Sequence, residues 1–187
     1  MLPSYWHIPT ICNAHSFSTT VHHKEQFMLI EFQALPDSAR IWIYQCNRTF
    51  SADELVEIKS RLDAFITQWT AHGADLRAAY EIPYNRFIVI GLDQSMNAAS
   101  GCSIDASVHF IQGLEAQYQV DLLDKMNVSY KQGKYVAYKP LKEFKKMAKE
   151  RAVSKNTVVF NNLVATKGEY HDHWEIPAQD SWHARFM

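Results

Sequence analysis

A chain of 187 residues, 47% hydrophobic and 13% aromatic, is long enough for one substantial core and short for two ordinary domains. Nineteen Lys and Arg against twenty Asp and Glu leave a formal charge of −1, which excludes a global positive field of the kind that gathers nucleic acid or anionic lipid. No apolar run approaches the roughly 18 residues of a membrane span, and the odd count of three cysteines (Cys12, Cys46, Cys102) fits free thiols, so a cytoplasmic location is expected.

The first 27 residues contain His7, His15, His22 and His23 but no sustained period of 2 or 3.6. They read as a loose extension, 1–27, ahead of a single α+β domain at 28–187. RIWIYQCN, Arg40 to Asn47, is rich in β-branched and aromatic residues and apolar on both faces at its centre, as in a buried strand. Ser51 with Glu54 three residues on then forms a capping-box pattern, and Leu55, Ile58, Leu62, Phe65, Ile66 and Trp69 recur on one helical stripe. His72 is expected at the end of that helix, with Gly73 as its stop. Leu76 to Ile82 and Arg86 to Leu92 read as two strands joined by the turn Pro83-Tyr84-Asn85. Ser103 to Gln119 reads as a second helix with Ile104, Val108, Ile111, Leu114 and Tyr118 inward. A hairpin around Gln132-Gly133, a short basic helix opened by Pro140 and a last strand in NTVVFNNLV complete the chain.

From Arg40 to Tyr138 the order is β-α-β-β-α-β, with one further strand in the last hairpin. That is the ferredoxin-like arrangement, two helices on one face of an antiparallel sheet, here with a C-terminal helix and strand as an elaboration.

Several stretches carry a resemblance: RIWIYQCNR, WTAHGADL, YNRFIVI, ASGCSIDASVHFI, MNVSYK, VVFNNLV and DSWHARF. They resemble a small bacterial protein family that goes under the name "ABC transporter ATPase", over about Leu29 to Phe186. The name implies ATP hydrolysis, whose phosphate loop is written G-x-x-x-x-G-K-[ST]. No such string occurs, and Gly133 is the only glycine followed by Lys. No nucleotide site of that kind, and no cofactor, is expected.

The chemistry-bearing stretch is ASGCSIDASVHF. With Ser103 as cap, Cys102 sits just before a helix, where free amides and the positive dipole end favour a negative sulfur. Gly101 lets a ligand approach the backbone closely. Cys102, Asp105 and His109 share one stripe, but Cys102 and His109 are two turns and roughly 10 Å apart, too far for direct proton transfer. A base for Cys102 therefore comes from elsewhere. His72 is one candidate, because the end of the first helix and the start of the second lie at one end of a ferredoxin-like sheet. His183 is another, folded back by Trp174 and Trp182, whose rings need burial. Each residue also has a plain reading: an inert cysteine on a solvated helix face, a histidine complementing a helix dipole, a surface histidine beside a buried tryptophan.

Two functions follow. The leading one is a small-molecule enzyme with Cys102 as a reactive thiol, Asp105, His72 and His183 around it, and Asn85, Arg86, Ser103 and Gly101 contacting a small polar ligand. The alternative is a non-catalytic ligand-binding or protein-interaction module. His171 and His173 with His183 can bind zinc in principle, but no metal site is expected. IWIYQCN and NRFIVIGLD echo the strands of RNA-recognition domains without their basic and glycine-aromatic parts, so neither nucleic acid nor membrane is an expected partner. A homo-oligomer is left open.

Overall fold

The computed structural model describes residues 29–187, so the extension 1–27 and its histidines lie outside the described residues, as does Cys12. The chain is α+β. Strand β1 (Arg40–Gln45) leads to helix α1 (Ala52–Thr67), a small hairpin β2 (Thr70–Ala71) and β3 (Ala74–Asp75), then β4 (Arg77–Glu81), β5 (Phe87–Asp93) and helix α2 (Gly101–Tyr118). There follow β6 (Asn127–Gln132), β7 (Tyr135–Pro140), helix α3 (Leu141–Lys149), β8 (Val158–Phe160), helix α4 (Lys167–His173) and β9 (Glu175–Pro177). Among the described residues, no helix is long and apolar enough to cross a membrane.

The strands form two principal sheets. The first has the order β1-β5-β4, all antiparallel. Every residue of β5, FIVIGLD, is buried, because this central strand is covered on both faces. On one face Ile88, Ile90 and Leu92 meet Ile58, Leu62 and Ile66 of α1 and Ile111 and Leu114 of α2; on the other Phe87 and Val89 meet Phe32, Leu35, Phe160 and Trp174. The second sheet has the order β7-β6-β8-β9. The strand expected to close a single four-stranded sheet, β6, thus ladders with β7 and β8 instead of with β1. It touches β1 only through side chains: the Gln45 amide donates to the Asn127 carbonyl at 2.9 Å, and Ser129 Oγ donates to Gln45 Oε1 at 3.0 Å. A seam therefore separates the sheets where a fourth strand was expected.

Local signals place most elements. Ser51 Oγ accepts from the Glu54 N–H while Glu54 accepts from the Ser51 N–H, closing the capping box of α1. Arg48 forks onto both oxygens of Glu54 at 2.8 Å, and these bonds hold the Glu54 carboxyl down to about 2. Thr166 and Glu169 build a second capping box at α4, a helix the sequence reading passes over although its T-x-x-E pattern is present. NTVVFNNLV yields only the short β8, which pairs on to β9.

Two expected boundaries move. Helix α1 ends at Thr67, and His72 and Gly73 form the turn of the β2–β3 hairpin with φ of 52° and 79°. Consecutive positive φ values match the twist of a tight hairpin, so this glycine serves a turn rather than a helix stop. The cap of α2 is Ser100, whose Oγ accepts from the Ser103 N–H at 3.1 Å. Ser103 and Ser107, not Ile104 and Val108, take the buried stripe beside Ile111 and Leu114. The Trp69 indole packs at this turn, donating to the Ser103 carbonyl at 2.8 Å.

Candidate functional site

The structure separates the residues singled out in the sequence. Cys102 and His72 are both exposed and line one open cleft of about 540 Å³ at the junction of the β2–β3 hairpin and the first turn of α2. Ser103 lines it too, but its hydroxyl donates to the Ser100 carbonyl at 2.9 Å and the residue is buried. Gly101 is exposed, and a Cβ there would meet nothing within 4 Å, so no neighbouring residue requires glycine. Asp105 and His109 are exposed on α2 outside the lining of this cleft.

Asn85 and Arg86 lie elsewhere. They precede β5, whereas α2 follows it, and neither lines the cleft that holds Cys102. Asn85 holds a left-handed backbone with φ of 50°, and its carbonyl accepts the Phe50 N–H at 2.8 Å, which makes it a turn residue. The Arg86 guanidinium is buried and donates from Nη1 to the Val136 carbonyl at 3.1 Å. Its Nε has no hydrogen-bond partner among the described residues, and burial lowers its pKa.

His183 is buried rather than on the surface. It stacks on Trp182 at 3.9 Å and meets Phe144 edge-on at 5.7 Å, while Trp174 packs far along the fold against Phe87 and Phe160. Ser181 Oγ donates to the Ala178 carbonyl, which commits its only proton. His183 Nδ1–H then donates to Ser181 Oγ at 2.8 Å, leaving Nε2 as a buried bare acceptor. Burial above all, and the charge of Arg185 next, push this imidazole down to about 4. His183 therefore stands neutral in an aromatic core, away from Cys102. His171 and His173 sit exposed on α4, and among the described residues no three His, Cys, Asp or Glu converge on a common point.

The better-formed concavity is in the seam. A cavity of about 370 Å³ lies between the outer edge of β1, the Ile104 and Val108 face of α2, the loop Leu122–Lys125 and the second sheet. Phe160, Leu163 and Trp182 wall its far side. Its inner polar groups are amides: Gln45, Asn127 and Asn162, joined by the Asn162 Nδ2 bond to Gln45 Oε1 at 3.0 Å. Asp124 and Lys125 are exposed at its rim. An apolar enclosure with a few fixed polar groups is what small-ligand sites share. The amide residues Gln45, Asn127 and Asn162 were not singled out in the sequence. The one local hint is Gln45, a polar residue inside an apolar strand, and its partners are 82, 84 and 117 positions away.

Compared with known proteins, the chain matches no protein-family model, no curated protein and no solved structure.

Proposed function

We propose that this protein is a non-catalytic binding module for a small molecule and that the ligand sits in the seam between the two sheets. One observation carries this reading: the cavity is about 370 Å³, apolar on α2, Phe160 and Trp182, and furnished with the Gln45, Asn127 and Asn162 amides. The order β1-β5-β4, with α1 and α2 on one face, supports a ferredoxin-like ancestry in which the fourth strand has turned away and opened the site. The free thiols of Cys46 and Cys102 support a reducing, cytoplasmic setting.

The reading is tested by thermal melting against a set of small neutral aromatic compounds. Saturable, concentration-dependent increases in Tm are expected, since a ligand that binds only the folded state stabilises it by mass action. Val108→Phe, which fills the cavity from α2, abolishes them while the protein stays folded by circular dichroism. If no compound at millimolar concentration raises Tm in the unmodified protein more than in Val108→Phe, the reading falls.

A second reading rests on its own observation, the shared cleft of Cys102 and His72. It makes Cys102 a nucleophile that His72 deprotonates, acting on a small polar substrate. Its test is thiol labelling, described below.

A further inference from the structure

We infer that the ligand of the seam cavity is a neutral, flat molecule bearing a cyclic cis-amide, or the equivalent adjacent donor and acceptor of a heteroaromatic ring, and that it pairs with the backbone of Ile43 as a neighbouring strand would. The inference rests on the seam being the ligand seat and names the chemistry that fills it.

The hydrogen-bond parity of β1 determines which backbone groups face the cavity. Cys46 N–H donates inward, to the Arg86 carbonyl preceding β5. Ile41 N–H donates outward to the Ala165 carbonyl, and Asn47 N–H outward to the Asp121 carbonyl. Backbone groups of an antiparallel strand alternate between its two edges, so the N–H and C=O of Ile43 also point outward, as do those of Gln45, whose side chain is already bonded to Asn127. They have no hydrogen-bond partner among the described residues. The cavity confirms the direction: it is lined by Trp42, Ile43, Tyr44 and Gln45 in succession. Alternate side chains leave a strand on opposite faces, so a space that touches four in a row looks at the strand's edge.

A donor and an acceptor on one extended residue lie side by side. The complementary group has an acceptor and a donor side by side, as in a lactam, where the ring holds N–H and C=O on one edge. Satisfying both at once gives affinity and selectivity, because a ligand that desolvates them without pairing leaves them unsatisfied. An extended peptide would offer the same pattern, but the outward backbone edge is closed by the Ile41–Ala165 and Asn47–Asp121 bonds. Six residues separate these closures, about 20 Å along the strand, and the Gln45 side chain bonded to Asn127 lies within that span, which suits a small ring system and not a long passing chain. The enclosed polar groups are uncharged amides, and the apolar walls favour a neutral body.

The test titrates the 15N-labelled full chain with 2-quinolone and with N-methyl-2-quinolone, which has the same ring and carbonyl but no N–H. The expected result is that 2-quinolone binds at least about tenfold more tightly, as a lost buried hydrogen bond requires, and moves the Ile43 amide resonance. Val108→Phe, or Leu163→Trp at the rim should the first not fold, removes both effects. Equal affinity of the two probes at a site that Val108→Phe blocks overturns the Ile43 pairing and leaves the seam as a ligand seat. Tight binding of 2-quinolone without a change at Ile43 does the same. Failure of both probes to bind at millimolar concentration, with no neutral aromatic compound stabilising the protein, overturns the pairing and the seat together.

Discussion

The Trp69 indole N–H donates to the backbone carbonyl of Ser103 at 2.8 Å, tying the chain just beyond α1 to the first turn of α2. This buried bond spans 34 positions and positions the wall of the cleft that holds Cys102 and His72. Trp69→Phe keeps an aromatic ring but leaves the Ser103 carbonyl without its donor. A loss of about 1–3 kcal/mol is expected, read as a Tm lower by several degrees. Ser103→Ala retains the carbonyl and should cost less in the same melt.

Acid should weaken the protein through His183. Its folded pKa is about 4 against an ordinary value of 6.5, so between these limits the unfolded chain binds more protons than the folded one. The stabilisation is present in full above pH 6.5 and is lost as pH falls toward 4. The gap corresponds to about 3 kcal/mol at most. Denaturant melts from pH 7 to pH 4 should show this decline. His183→Phe, whose ring leaves no bare Nε2 among Phe144 and Trp182, should flatten it.

Two glycines should respond oppositely to alanine. At Gly91, in the middle of β5, an added Cβ overlaps Leu35 Cδ1 and comes within 3.0 Å of Ile41 Cδ1, both on buried residues. Gly91→Ala should therefore destabilise by about 1–3 kcal/mol through overpacking. At Gly101 the same group meets open space in the first turn of α2, so Gly101→Ala should be neutral or stabilising by about 0.5–1 kcal/mol. Thermal melts of the pair measure both.

Iodoacetamide should modify Cys102 in the native protein and spare Cys46, which is fully buried behind β1. Mass mapping of the labelled peptides separates them. The nucleophile reading requires more than exposure: Cys102 must alkylate faster than a free cysteine in a peptide at neutral pH, and His72→Ala must slow it. Labelling at the ordinary rate, unchanged in His72→Ala, leaves Cys102 as a surface thiol.

What the sequence determined by itself is local. The start and inward face of α1 follow from a capping box and an apolar stripe, and the β4–β5 hairpin from Pro83-Tyr84-Asn85 between two apolar runs. The α+β class follows likewise, as does the order of strands and helices through β6 apart from the small β2–β3 hairpin, because caps, turns and periodicities depend on neighbours a few positions apart. The same locality misplaced the turn at His72 and the cap of α2, where one glycine or serine suits two neighbouring positions equally well. Only the tertiary structure decided that β6 would pair with β8 rather than with β1 and leave β1 with a free edge. It likewise decided that Cys102 would share a cleft with His72 but not with Arg86, and that His183 would be buried beside Trp182. The seam cavity depends on Gln45 meeting Asn127, Ser129 and Asn162 across 82 to 117 positions. Which distant strand a polar group meets is decided by the packing of whole layers, and that information lies in no short window of the chain.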